Sequence, residues 1–295
     1  MVIETTPPDH TRRPRRQKSS LLLRWLRLSF RLQSWCSTKW AARRLYRLWF
    51  TSPRFREPRR ETAWRRQATE LTLTAAGGKL AVYRWGEGER RVLLLHGWSG
   101  RGPQMGAFVA PLLEAGYQVV AFDAPGHGRS AGNSSSIFRM NEALQVVTQE
   151  LGPFHAAIAH SFGVMLLAYA LKHTGFSIKK AVCISSPTTP LFLVDQYFRY
   201  LRIRPAVRPH FMALFEEEFF ANAWQRITAD ENVRALTIPA LILHDREDQD
   251  VPVEYGERLA KAWPAAQLVI TTGLGHRRIL RNPAILEQVT DFIQR

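Results

Sequence analysis

Only two cysteines, Cys36 and Cys183, occur in 295 residues. They form neither a disulfide framework nor a paired metal-ligand spacing, so they read as reduced thiols, as in a reducing compartment such as the cytoplasm. No apolar run approaches the roughly 20 residues of a membrane-spanning helix, and none resembles the apolar centre of a secretory signal. No period repeats along the chain. Acids are scarce at one end: residues 1–66 carry 18 Lys and Arg against four acids, whereas the remaining 229 residues carry 23 against 21. The net charge of +16 therefore belongs to a basic leader, followed by a nearly neutral segment. A hydrophobic fraction of 45% supplies material for a large core.

The leader divides in two. Residues 1–20 are rich in Pro, Arg and Thr without apolar periodicity, and read as a disordered basic tail. Residues 21–66 read as a basic amphipathic helical leader. Leu21, Trp25, Leu28, Leu32 and Trp35 recur by fours and threes, one stripe of a helix, with Arg24, Arg27 and Arg31 beside or across from it. Lys39 interrupts the stripe, which resumes through Ala42, Tyr46 and Trp49. Thr51-Ser52-Pro53 ends the pattern, and Arg54–Arg66 reads as a further basic helix. Residues 21–50 suit a peripheral contact with an anionic membrane at its inner face, arginines among the headgroups and Trp and Leu below them. Docking on the chain's own domain or on a partner suits the same pattern, and no specific nucleic-acid contact is expected. The Arg-rich, acid-poor texture also resembles an organellar transit peptide.

From residue 67 to 295 the pattern becomes α/β. Glu70–Thr74 and Lys79–Trp85 flank Gly77-Gly78, a hairpin signal. Apolar runs then alternate with helical stretches: Arg91–His96, Gln118–Asp123, His155–Ala159, Lys179–Ser185, Pro239–His244 and Gln267–Thr271, with helices over Gln104–Glu114, Phe138–Glu150, Phe162–His173, Val253–Ala262 and Pro283–Ile293. Such alternation predicts a mostly parallel sheet covered by helices on both faces. About fifty residues, roughly 187–235, interrupt the rhythm and are heavy in aromatics; a connection this long on the ligand side of the sheet reads as a helical lid.

Ligand sites in open α/β sheets gather at the carboxyl ends of strands, and here those ends carry reactive residues. Ala159-His160-Ser161-Phe162-Gly163 stands where an apolar strand meets a helix, so Ser161 is either a sharp-turn nucleophile or a helix cap. His96-Gly97-Trp98 follows an earlier strand; its turn aims the Trp98 N–H inward to form, with the Phe162 N–H, a two-donor oxyanion hole. His96, Gly97, His160 and Gly163 are read as supports. Asp123, opening Asp123-Ala124-Pro125-Gly126-His127-Gly128-Arg129-Ser130, is read as an anchor of its loop. Asp245, Asp248 and Asp250 are candidate acids, with Asp248 best placed in a strand-to-helix turn before Pro252, and His276 lies in a glycine-flanked loop as the candidate base. The order Ser161, Asp248, His276 is nucleophile, acid, histidine.

Together L-L-L-H-G-W-S-G, D-A-P-G-H-G-R-S, A-H-S-F-G, H-D-R-E-D-Q-D-V-P and G-L-G-H resemble the α/β-hydrolase superfamily over roughly residues 70–294. Ala159 replaces the first glycine of the elbow, and Asp245 stands where the acid loop often has glycine. The resemblance implies an eight-stranded, mostly parallel sheet, a Ser161–His276–Asp248 triad, a Trp98/Phe162 oxyanion hole and a lid after the sixth strand, without metal or cofactor. The expected activity is hydrolysis of a small or medium apolar ester through an acyl-enzyme, the aromatic insertion and Trp98 suggesting the apolar part. Thioester hydrolysis, C–C cleavage and acyl transfer can use the same residues. So, in another class, can a membrane- or partner-docked binding protein with an inactive core. Oligomeric state is not legible.

Overall fold

A computed structural model describes residues 21–75 and 77–295; the tail expected over 1–20 lies outside the described residues. Eight strands form one sheet: β1 (Thr69–Ala75), β2 (Gly78–Trp85), β3 (Arg91–Leu95), β4 (Gln118–Phe122), β5 (Ala156–His160), β6 (Lys180–Ile184), β7 (Ala240–Asp245) and β8 (Ala266–Thr271). Their order is β1-β2-β4-β3-β5-β6-β7-β8. β2 runs antiparallel to β1 and β4, and every later pairing is parallel. The expected strands thus appear with ends shifted by a residue.

The period of two divides each strand between two cores. On β3, Leu93 and Leu95 face one apolar layer, while Val92 and Leu94 face the other. The helices after the leader are α4 (Val109–Glu114), α5 (Ile137–Leu151), α6 (Phe162–His173), α7 (Pro190–Leu201), α8 (Arg208–Glu218), α9 (Ala223–Arg226), α10 (Ala229–Asn232), α11 (Glu254–Ala262), α12 (Gly275–Arg278) and α13 (Pro283–Gln294). Local chemistry sets their starts. Ser136 caps α5 by accepting from the Arg139 N–H, and Asn282 caps α13 with Pro283 at its first position. The helix expected from Gln104 begins instead as a 3₁₀ segment, Gly102–Phe108, carrying Pro103 and Gly106. Gly106 is occupied by a neighbour: a Cβ there would lie 2.5 Å from the Trp64 ring.

The leader forms three helices, α1 (Leu21–Cys36), α2 (Thr38–Trp49) and α3 (Arg59–Arg66). Ser37 separates the first two, extended at φ −160° and accepting the Trp40 N–H as the cap of α2. The break turns one sequence stripe in two directions. In α2, Ala42, Leu45 and Tyr46 are buried in the core that also holds α8 residues Phe211 and Phe215. In α1, Leu21, Trp25, Leu28, Leu32 and Trp35 face outward, and the buried residues are Phe30, Gln33 and Ser34. No helix among the described residues is long and apolar enough to cross a membrane.

The segment between α2 and α3 is irregular rather than helical, correcting the helix expected from Arg54, and helix begins only at Arg59. Arg54 ties it down by donating to the Ser130 and Gly132 carbonyls at 2.5 and 2.7 Å. α3 is fixed by the Trp85 indole N–H, which donates to the Trp64 carbonyl at 2.9 Å. This strap crosses to the carboxyl end of the sheet. The insertion between β6 and β7, α7 to α10, packs its rings on the leader: Phe211 lies edge-on to Tyr46 and Trp49, and Phe215 stacks on Trp224 and Phe50.

Candidate active site

Ser161 occupies the turn between β5 and α6 with φ 54° and ψ −123°. This is costly backbone for a residue with a Cβ, maintained only where surroundings enforce it. The enforcement is visible: the Ser161 N–H donates to the Ile184 carbonyl at 2.9 Å, and its carbonyl accepts from Val164 at 3.0 Å. The Ser161 side chain makes no capping hydrogen bond to α6, so the helix-cap reading does not describe it. Two glycines let neighbouring backbone approach. A Cβ on Gly163 would meet the Leu95 and His96 carbonyl oxygens at 2.6 and 2.8 Å, and one on Gly97 would meet the Ser161 Cβ at 2.9 Å.

His276 and Asp248, 28 residues apart, come together, with His276 Nδ1 2.8 Å from Asp248 Oδ2. The other carboxylate oxygen, Oδ1, accepts the N–H groups of Asp250 and Val251 at 2.8 and 2.9 Å. Burial pushes the Asp248 carboxyl upward, but the His276 hydrogen bond and charge, with the two amides, overcome it and hold the pKa below the ordinary value. Ionised Asp248 then takes the His276 Nδ1–H, leaving Nε2 as the free ring nitrogen. His276 stands in the short helix α12, not in an open loop, after positive-φ turns at Gly273 (83°) and Gly275 (61°).

The other two acids separate cleanly. Asp245 is fully buried and accepts from the Thr271 hydroxyl, the Leu274 N–H and the Glu247 N–H, tying the acid loop to the histidine loop. Asp250 is half-exposed and lies 3.5 Å from Arg277.

The supporting residues each have a defined partner. His96 donates from Nδ1 to the Gly97 carbonyl at 2.7 Å and accepts the Ala124 N–H at Nε2, 3.0 Å, joining the β3 and β4 loops. Burial depresses its pKa to about 4, and a neutral ring is what this donor–acceptor pair requires. His160 donates from Nε2 to the His276 carbonyl at 2.9 Å. Its ring centroid lies 4.7 Å from that of His276. Burial, followed by the His276 charge, lowers its pKa to about 3. Asp123 accepts from the Gly102 N–H, the Tyr83 hydroxyl and the Arg129 N–H at 2.7–2.8 Å, an anchor far into the core.

Trp98 and Phe162 sit side by side, rings 5.4 Å apart at 72°. Phe162 is the first residue of α6, where backbone N–H groups have no partner within the helix. Gly97, Trp98, His160, Ser161 and His276 all open onto one cavity of about 310 Å³. Its opposite wall comes from the strap and α3, through Phe55, Arg60 and Glu61. None of the aromatic rings of the insertion lines it. The strap wall is what sequence reasoning missed; the basic run was legible, but its destination depends on contacts with residues far along the chain. Among the described residues, no group of three or more His, Cys, Asp or Glu stands ready to hold a metal ion.

Comparison with known proteins agrees with this architecture. Residues 92–289 match the model of an alpha/beta hydrolase family. The lysophosphatidylserine lipase ABHD12 of Danio rerio is 30% identical over 231 residues, 69% of this chain and 58% of the relative. A non-heme haloperoxidase of Rhodococcus erythropolis is 26% identical over 254 residues, covering 69% of this chain and 92% of that protein. The chain spans little more than half the length of the ABHD12-type relatives. Among solved structures, an esterase of Exiguobacterium antarcticum superposes with a TM-score of 0.60 at 19% identity, covering 77% of this chain and all of that one. The motif set, the eight-stranded sheet and the family match over two thirds of its length place this chain in the alpha/beta hydrolase family.

Proposed function

We propose that this hydrolase cleaves carboxylic esters through an acyl-enzyme formed on Ser161. A serine hydroxyl is a poor nucleophile near neutral pH and needs a base within reach. His276 is that base: Nε2 takes the Ser161 proton as Oγ attacks the carbonyl, and Asp248 holds the ring orientation and balances the imidazolium. The Trp98 and Phe162 amides receive the developing oxyanion, a contribution of about 10²–10³ in turnover for such donors. His276 returns the proton to the departing alkoxide, and water repeats the sequence to release the acid. The observation that carries this reading is the 2.8 Å His276–Asp248 contact beside a strained, uncapped Ser161. The chemistry is tested by turnover of a p-nitrophenyl ester with a burst of one equivalent of nitrophenol, lost in Ser161→Ala. Thioester, C–C and acyl-transfer chemistry would share the first step, and thioesters assayed alongside esters separate the first of these.

A peripheral attachment to anionic membrane belongs to the same proposal, supported by one observation. Seven large apolar side chains of α1 and α2, Leu21, Leu22, Trp25, Leu28, Leu32, Trp35 and Trp40, are 46–78% exposed. Arg24 and Arg31 also lie on exposed positions of α1. Leu and Trp below a rim of arginine match an anionic lipid surface in both polarity and charge.

A further inference from the structure

Arginines crowd the mouth of the cavity over Ser161. Arg56 and Arg60 reach it from the strap and α3, and Arg101, Arg277 and Arg281 from the sheet's loops; Glu61 is the one acid in its wall. The basic leader supplies Arg56 and Arg60, but Arg101, Arg277 and Arg281 come from the segment after residue 66, which carries nearly as many acids as bases. Internal pairing does not neutralise the cluster. Arg101 lies 3.4 Å from Glu61 and Arg277 lies 3.5 Å from Asp250. Among the described residues no ion pair forms at Arg56, Arg60 or Arg281.

The field of these cations is felt within the site. Burial lowers the pKa of Arg281 first, and the Arg60 charge lowers it further. Arg101 and Arg277 contribute, after burial, to the depressed values of His96 and His160. Like charges held together at a partly desolvated mouth repel one another, and an anion placed among them relieves the repulsion. The buried carboxylate of Glu61 lies 3.4 Å from Arg101 and also attracts Arg60 and Arg281, but one carboxylate cannot balance the five cations around the cavity.

Building on the ester-hydrolase reading, we propose that this cavity selects esters carrying a second, anionic group, a carboxylate, sulfonate or phosphate, received by Arg60 and Arg281 while the ester carbonyl lies at Ser161. Guanidinium forks suit such oxyanions because they donate two parallel hydrogen bonds in a plane. A neutral ester of the same shape lacks this contact.

The test uses two aryl acetates of matched shape, 4-acetoxybenzenesulfonate and its uncharged sulfonamide. Calorimetry on full-length Ser161→Ala protein at low salt reads binding without turnover. The sulfonate is expected to bind about tenfold tighter or more, as for a hydrogen bond to a charged group. The preference should shrink toward unity near 0.5 M NaCl. Arg60→Ala and Arg281→Ala should each reduce the sulfonate-to-sulfonamide ratio, whereas Arg234→Ala, on the insertion surface, should leave it intact. Equal affinity for the two esters, or a ratio indifferent to salt and to both arginines, overturns the proposal. Wild-type turnover is read separately: failure to hydrolyse either ester counts against the ester-hydrolase reading, not against the anion site. A loss of kcat for both esters alike in Arg281→Ala, with the binding ratio unchanged, would assign the arginines to the oxyanion instead and also overturn it.

Discussion

The ring of His160 donates from Nε2 to the backbone carbonyl of His276 at 2.9 Å, across 116 residues of sequence. The neighbour of Ser161 thereby holds the main chain of His276, the base of the proposed mechanism. An error of about 1 Å in placing such a base costs on the order of 100-fold in rate. His160→Phe is therefore expected to lower kcat about 10- to 100-fold on the same physical ground, with little change in KM. His160→Gln, whose amide can donate the same bond, should recover most of the loss. Equal defects in the two variants would assign His160 to packing alone.

Three buried histidines make the fold sensitive to mild acid. Burial lowers His96 to about 4 and His127 and His160 to about 3, from an ordinary value of 6.5. The unfolded chain binds these protons first as pH falls, so the stabilisation is complete above about pH 6.5 and drains away toward pH 3–4. Each ring contributes a loss of up to about 1.4 kcal/mol per pH unit in that window. Urea midpoints measured at pH 7.5 and pH 5.0 should fall markedly, before carboxylates titrate. A flat profile between those values would contradict the buried neutral rings.

The three aspartates Asp245, Asp248 and Asp250, at and just past the end of β7, predict three different phenotypes. Asp248→Asn should preserve the fold and lower kcat by about 10³–10⁴, because the amide no longer fixes the His276 tautomer or balances its charge. Asp250→Asn, half-exposed, should cost less than about tenfold, as expected for a surface ion pair. Asp245→Asn should act on stability, since it disturbs the bonds to Thr271 and Leu274. Steady-state kinetics with thermal melts on the three variants distinguish these outcomes.

Strand ends were the legible part of this chain. A period of two and glycine-rich turns place Ser161, Asp248 and His276 within five residues of a strand end without tertiary information. The strand–helix alternation likewise yields the mostly parallel sheet and the long insertion, whereas the eight-stranded form with an insertion after the sixth strand rests on the family resemblance. Orientation was not legible. Periodicity says that Leu21, Trp25 and Leu28 share a face, but not that Ser37 caps a new helix and leaves that face outside while Leu45 turns inward. The strap was hidden for a related reason: Gly106 accepts Trp64, and Ser130 and Gly132 hold Arg54, all contacts between distant segments. The aromatic insertion suggested an apolar lid in sequence, yet its rings pack on α2, which no local pattern announces.

That division of the leader separates two kinds of variant. Trp25→Ser, Leu32→Ser and Trp35→Ser together should abolish co-flotation with phosphatidylserine-containing vesicles while leaving the melting temperature near wild type. Leu45→Ala, fully buried in α2, should destabilise the protein by about 2–5 kcal/mol. Vesicle binding by wild type should weaken with salt as arginine–headgroup attraction is screened. Flotation that survives the triple substitution would move the membrane contact away from α1.

The central claim, that Ser161 is an activated nucleophile, is tested most directly by intact-protein mass spectrometry after exposure to a fluorophosphonate. The wild type should gain one adduct, mapped to Ser161 by peptide analysis, and Ser161→Ala should gain none. An unlabelled wild type, or a variant labelled to the same extent, would contradict the account.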